Sequence, residues 1–283
     1  MHELLLFGQV PSSRHDQVLN ILAGVAAMQP VQVLEKHLVF KPNRLPASAR
    51  PVQVGGAQDI QKSQVQALQA QNQGDLFYLR LVAEPSSTTL KGQGDGGLNA
   101  KVEGSDEIML DVREANGGLV GDIQSTAPTE GDSQTWTLQY RDLPEVVQPG
   151  RRQITSRLMA DIPITSGDPV QFMKALDYTH TATYLLAGHR FTHLSASILL
   201  HRLFLPAKPF QEIFNVSSKD ISQARLLDPS GTYILQAAVR VQDGSKVETM
   251  TKGSLELLSL KETLKGVVEL DMGDRLALDT RVR

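Results

Sequence analysis

The chain has 283 residues, 41% of them hydrophobic and 21% charged, with 28 basic against 31 acidic residues and a net charge of -3. That length can bury a substantial core as one large domain or two small ones, and the balanced charge, whose longest basic run is Arg151 and Arg152, leaves no electrostatic footprint for nucleic acid. The absence of cysteine excludes disulfide frameworks, thiolate nucleophiles and every zinc site built on sulfur.

The opening MHELLLFGQVPSSR lacks a cationic leader, and its apolar run is too short for a signal-peptide core. No uncharged apolar stretch approaches the roughly 18 residues needed to span a bilayer. A soluble, intracellular protein is expected.

Short apolar runs, alternating or continuous and bounded by Gly, Pro, Asp and Ser, predict strands near 2–10, 31–40, 76–83, 107–113, 134–141, 152–162, 180–187, 190–205, 232–241 and 266–280. About ten to twelve strands, mostly antiparallel, are implied. Helices are few. After the first strand, Ser13 followed by Asp16 has the spacing of a capping box, and Val18, Ile21, Leu22 and Val25 line one face until Pro30 forbids continuation. Asp168 and Pro169 form an N-cap and N1 pair that opens a helix of about two turns. A further helix is predicted from about Val247 to Leu264, with Met250, Leu257, Leu258 and Leu264 facing inward and Gly266 ending it; Gly253 opposes it by propensity. Residues 58–74 contain seven Gln, and residues 84–106 are rich in Gly, Ser, Thr and Asp. Neither has the apolar surface to offset its ordering entropy. The expected organisation is therefore a single domain over 1–283, with flexible insertions at 43–74 and 84–106.

Several patterns suggest chemistry that their surroundings do not support. Gly92, Gly94 and Gly97 satisfy G-x-G-x-x-G, yet no strand precedes them and no helical face follows, so a loop is expected. His189 and His193 are four apart, but four residues of strand span about 13 Å, too far for both rings to share one ion. A hairpin near Gly188 is expected there. No G-x-S-x-G, Walker loop or H-E-x-x-H occurs.

The stretch KGVVELDMGDR, residues 265–275, offers Glu269 and Asp271 on one strand face, with Val268, Leu270 and Met272 on the other. Two carboxylates about 6.6 Å apart along a strand could reach one divalent cation. Hydrolysis inside a β-tunnel needs acids from several strands and cations for the phosphates. Tunnel triphosphatases present E-x-E-x-K on an early strand, and the corresponding face here carries Glu3, Leu5 and Phe7. A solvated outer face for Glu269 and Asp271 is the expectation, with no catalytic residue, cofactor or metal. The alternative is a metal-dependent tunnel phosphohydrolase acting on triphosphates through Glu269, Asp271 and Glu3. The non-enzymatic reading expects an apolar barrel interior; acids from several strands facing arginines would count against it.

The densest apolar stretch is ASILLHRLFLPAKPFQEIF, where Leu199, Leu200, Leu203, Phe204 and Leu205 occupy both strand faces. A strand covered on both sides needs something on its second side, either the protein's own helices or a partner. For the partner reading the anchors are Leu203, Phe204, Phe210, Ile213 and Phe214.

These residues, taken together, resemble a known family. ELLLFGQVPSSRHDQVLNILAGVAAMQP with LEKHLVFKP, the central WTLQYRDLPE, FMKALDYTHTATYLLAGHRF running into SILLHRLFLP, and the closing LLSLKETLKGVVELDMGDRLALDTRV are similar to subunit eighteen of the Mediator complex, its fungal branch in particular. The order and spacing of these stretches carry the resemblance; the two low-complexity insertions depart from it. It implies a mainly β fold: one antiparallel β-barrel with flanking helices, related in architecture to triphosphate tunnels but inactive. It further implies a nuclear scaffold subunit of the Mediator head module. Such a subunit would pair with subunit twenty, hold a C-terminal helix of subunit eight and face RNA polymerase II, without contacting nucleic acid or membrane.

Overall fold

In the computed structural model the described residues are 1–43, 76–84, 135–146, 153–207, 221 and 223–282. The strands are β1 (His2–Val10), β2 (Val31–Pro42), β3 (Leu79–Glu84), β4 (Thr135–Arg141), β5 (Thr155–Ile164), β6 (Tyr178–His193), β7 (Ala196–Leu205), β8 (Arg225–Leu226) and β9 (Tyr233–Val241). They follow the order β6-β2-β3-β4-β5-β1-β9-β7, and a further β6–β7 pairing closes the ring into an eight-stranded antiparallel barrel. β8 takes the edge of β7 at Phe204 and Leu205, beyond the stretch from Ala196 to His201 that pairs with β9. The mainly β barrel expected from the sequence is the fold observed.

Three helices lie within the described residues: α1 (His15–Ala26), α2 (Pro169–Ala175) and α3 (Val247–Leu264). α1 starts after a short 3-10 turn at Ser12–Arg14, and no side chain caps it. The expected capping box does not form, because the Asp16 carboxylate sits 2.7 Å from Nδ1 of His15 instead. Asp168 does cap α2, its Oδ1 accepting from the backbone N–H groups of Val170 at 2.8 Å and Gln171 at 3.2 Å.

α3 has the predicted bounds, and Gly253 explains itself by packing. A Cβ there would meet Leu4 Cδ1 and Val239 Cγ1, both at 3.0 Å, so glycine lets the helix lie close on the barrel wall. Met250, Gly253, Leu257, Leu260 and Leu264 form the buried stripe at helical spacing. Leu260 replaces Leu258 on that stripe, and Leu258 is only partly buried.

The apolar core lies outside the barrel. Leu4, Leu6 and Val10 of β1, Ile198 and Leu200 of β7, and Leu235, Ala237, Val239 and Val241 of β9 point outward. There they meet Val18 and Leu22 of α1 and the buried stripe of α3. A second outer layer packs Met173 of α2 against Leu38, Phe40, Leu81 and Leu138. Each fully buried aliphatic side chain contributes about 1.5–3 kcal/mol, so the wall is held chiefly from its outer side.

Two predicted boundaries move. β6 runs through Gly188 to His193, and the hairpin turns at Leu194, whose φ is 54°, rather than near Gly188. The predicted strand 266–280 is reduced to a single bridge, Phe7 with Asp271, and a second bridge, Phe77 with Arg281, lies just beyond it. β5 pairs with β1 only from His2 to Leu5, and the 271 segment takes that same edge at Phe7. The predicted strand 107–113, the G-x-G-x-x-G segment and the proposed insertions, apart from their end residues Asn43 and Glu84, lie outside the described residues.

Candidate functional site

Strand alternation sends every second residue of each barrel strand inward, and the sequence makes many of those residues polar. A cavity of about 630 Å³ results, with lining side chains from all eight barrel strands. The expected apolar interior is overturned by this arrangement: α1 and α3 cover the outer face of β1, β7 and β9, α2 covers that of β2, β3 and β4, and the enclosed face carries arginines and acids beside Val82, Leu186, Leu199 and Leu203.

Two networks occupy the lumen. In the first, β1 sets Glu3 opposite Arg157 of β5 and Arg240 of β9. Arg157 donates to Glu3 Oε2 from Nε at 3.0 Å and approaches it from Nη2 at 2.9 Å. Nε of Arg141 on β4 lies 3.6 Å from the same oxygen. Arg141 also donates from Nη1 to Asp161 Oδ1 at 2.6 Å and to the carbonyls of Tyr140 at 2.9 Å and Ala160 at 3.3 Å. Arg240 Nη2 reaches Asp161 Oδ2 at 3.3 Å. The side chains of Glu3, Arg141 and Arg157 are only 4%, 5% and 8% exposed, so their ionic pairing is obligatory.

The second network centres on Glu35 of β2. Its Oε1 accepts from Arg190 Nη2 at 2.7 Å, and its Oε2 lies 3.0 Å from Nε2 of His37. The His37 ring stacks on Tyr184 with centroids 4.6 Å apart and 7° between planes. His201 of β7 completes the group, its ring admitted because Gly188 stands opposite it on β6. Burial pushes the Glu35 carboxyl up, but the His37 hydrogen bond and the Arg190 charge outweigh burial and leave it below the usual carboxylate range. Burial lowers His37, against the opposing pull of Glu35, and lowers His201 to about 4.

A stability prediction follows from the two histidines. Both are held below the ordinary histidine value in the fold, whereas a histidine in an unfolded chain titrates near about 6.5. Their contribution is complete above that value and is lost as pH falls from about 6.5 toward the folded value of about 4 for His201. The unfolded chain then binds the extra protons, at about 1.4 kcal/mol per pH unit for each. The lowered Glu35 adds loss of the same sign at the acidic end. Urea midpoints measured from pH 7.5 down to 4.5 should fall steadily, and His201→Gln should flatten that slope; an unchanged slope in the variant would count against His201 as its source.

The residues of the hydrolase alternative are not brought together. Glu3 is locked to Arg157 in the lumen, whereas Glu269 and Asp271 lie on the exposed surface. Glu269 Oε1 accepts from the Gly266 N–H at 3.2 Å, and Asp271 Oδ1 pairs with Lys261 Nζ at 3.0 Å. Val268 and Leu270 are buried as expected, but Met272 turns out, 45% exposed. Among the described residues no three His, Asp or Glu side chains group as a cation site. The lumen thus has a tunnel hydrolase's residue types, with every acid of its two networks tied to an arginine.

Of the proposed partner anchors, Leu203 lines the lumen and Phe204 points outward, packed with Leu34, Leu185, Ile221, Ala224 and Leu226. Phe210, Ile213 and Phe214 lie outside the described residues. Within the described part of β7, Phe204 is covered from within this chain, whereas Leu199 and Leu203 are partly buried along the cavity. Sequence reading missed Arg80, Arg141, Arg157, Arg190, Arg240 and the pair Glu35 and His37. Alternation in LEKHLVF places Glu35 and His37 on one face and was the available signal.

The charged lumen counts against the non-enzymatic reading, and it is the comparisons that decide for it. The family described as Med18 protein matches residues 2–281. A Neosartorya fischeri protein named Mediator of RNA polymerase II transcription subunit 18 is 37% identical over 286 residues, spanning 100% of both chains. A Yarrowia lipolytica protein of the same name is 24% identical over 283 residues, again spanning 100% of both. A chain in the structure of the Schizosaccharomyces pombe Mediator head module superposes with a TM-score of 0.60 at 18% identity, covering 96% of this chain and 99% of that one, and so shares the fold. A barrel whose acids are held by arginines, matched end to end by relatives named for a transcription subunit, belongs to the Med18 family.

Proposed function

We propose that the chain is a scaffold subunit of the Mediator head module, acting in the nucleus in the regulation of RNA polymerase II transcription. As a member of the Med18 family it is a subunit of a transcription complex and not an enzyme. The observation that carries the reading is full-length relationship: the likeness to curated subunit 18 proteins spans both chains end to end, not one shared motif.

Within that module the chain pairs with a second barrel subunit, Mediator subunit twenty, and holds a C-terminal helix of subunit eight. A helix laid on an apolar surface needs a few anchors at i, i+3, i+4 and i+7 spacing. The anchors proposed are Phe210, Ile213 and Phe214, with Leu203 and Phe204 at the end of β7 leading into them, and truncating a true anchor costs about 2 kcal/mol or more. Co-expression with subunits twenty and eight should give stoichiometric co-elution on gel filtration. The double substitution Phe210→Ala and Phe214→Ala should weaken that assembly while the far-ultraviolet circular dichroism of the isolated chain stays the same. Failure of the unaltered chain to co-elute would reject the partners; assembly unmoved by the substitutions would reject only the anchors.

A further inference from the structure

The lumen carries an excess of positive charge. Arg80, Arg141, Arg157, Arg190 and Arg240 bring five guanidinium groups to the cavity, and Glu3, Glu35, Glu84 and Asp161 bring four carboxylates. Glu3 is shared by Arg141 and Arg157, and Asp161 by Arg141 and Arg240. Arg80 has no carboxylate: among the described residues its contact is a hydrogen bond from Nη1 to the Tyr184 hydroxyl at 3.2 Å. Its charge opposes those of its neighbours, since Arg80 and Arg141 both disfavour the charged form of Arg157, adding to the cost of burial. One positive charge is in excess, and Arg80, partly buried, is the guanidinium without a carboxylate among the described residues; such charge is costly in a poorly solvated interior. Guanidinium forks match a tetrahedral oxyanion, whose negative charge would offset the excess.

We propose that this part of the lumen is a binding site for a small free oxyanion of the phosphate class, held by Arg80 together with Arg141, Arg157 and Arg240. The carboxylates of Glu3 and Asp161 limit the capacity to one such ion, because a second would meet negative charge already paired. No bond is made or broken; the ion supplies the missing counter-charge and ties β3, β4, β5 and β9 together across the cavity.

The test uses the full chain with inorganic phosphate, read by thermal unfolding and by calorimetric titration, beside sodium chloride at matched ionic strength. Phosphate should stabilise saturably at a stoichiometry of one. Arg80→Gln should weaken phosphate binding by about tenfold or more, since a charge-assisted fork is lost. In chloride alone the same variant should be as stable as the parent or more so, because an unneutralised charge has been removed; a merely structural arginine would lose stability in both salts. Should Arg80→Gln fail to fold, Arg240→Gln at the more exposed end, 54% accessible and paired with Asp161, tests the phosphate affinity alone and should also weaken it. Phosphate that does no more than chloride, or stabilisation undiminished in the folded variant, overturns the site.

Discussion

Glu3→Gln should destabilise the protein by about 3–5 kcal/mol, the range for removing one partner of a buried ion pair. The loss would exceed that of one salt bridge, because Oε2 of Glu3 answers both Arg157 and Arg141, whose side chains are 8% and 5% exposed. The amide keeps the size of the side chain but leaves Arg157 without a carboxylate, in the same cavity as Arg80, while Arg141 keeps Asp161. Glu269→Gln, on an exposed carboxylate that accepts a single backbone N–H, should stay within about 0.5 kcal/mol. Guanidinium denaturation of the two variants side by side measures the difference. Equal, small losses would mean that the charges of the lumen are far better solvated than their burial implies.

Gly188→Val should be comparably severe, costing about 3 kcal/mol or more through overpacking against backbone. A Cβ at this position would run into the carbonyl oxygen of Leu200 and fall 2.6 Å from the His201 Cα, neither of which is a flexible side-chain end. The strain would fall on the β6–β7 pairing, where Gly188 and His201 are register partners and the barrel closes. Thermal unfolding should show a large drop in midpoint, and Gly188→Ala should show a smaller drop in the same direction. A valine variant as stable as the parent would mean that the closing strands can separate at little cost.

The elements of this fold were legible where local chemistry decides them. Asp168 with Pro169 announced α2, and the spacing of Met250, Leu257 and Leu264 announced α3. Where tertiary partners decide, the sequence was silent or misleading. Alternation in ELLLF shows that β1 has two faces, but it cannot say which one is enclosed; that depends on α1 and α3 packing against Leu4 and Leu6. Glu3 looked like a lone acid because its partner Arg157 is 154 residues away and arrives only through strand register. The segment around Val268 and Leu270 read as a strand because it alternates, yet it finds only a single bridge at Phe7. The charged lumen was out of view for a related reason: its arginines lie singly on separate strands, so none forms a basic run, and only the closed ring gathers them.

Closure of the ring also governs how another molecule can attach. An open sheet presents a row of unpaired peptide groups to which a foreign strand can be added, but here β6 and β7 complete the circuit and β8 occupies the ladder beyond the end of β9. Along those paired stretches peptide-group zippering is denied to an associating chain. Recognition there must be written in side chains, on the helices and rims, where single substitutions can retune who binds without disturbing the cylinder itself.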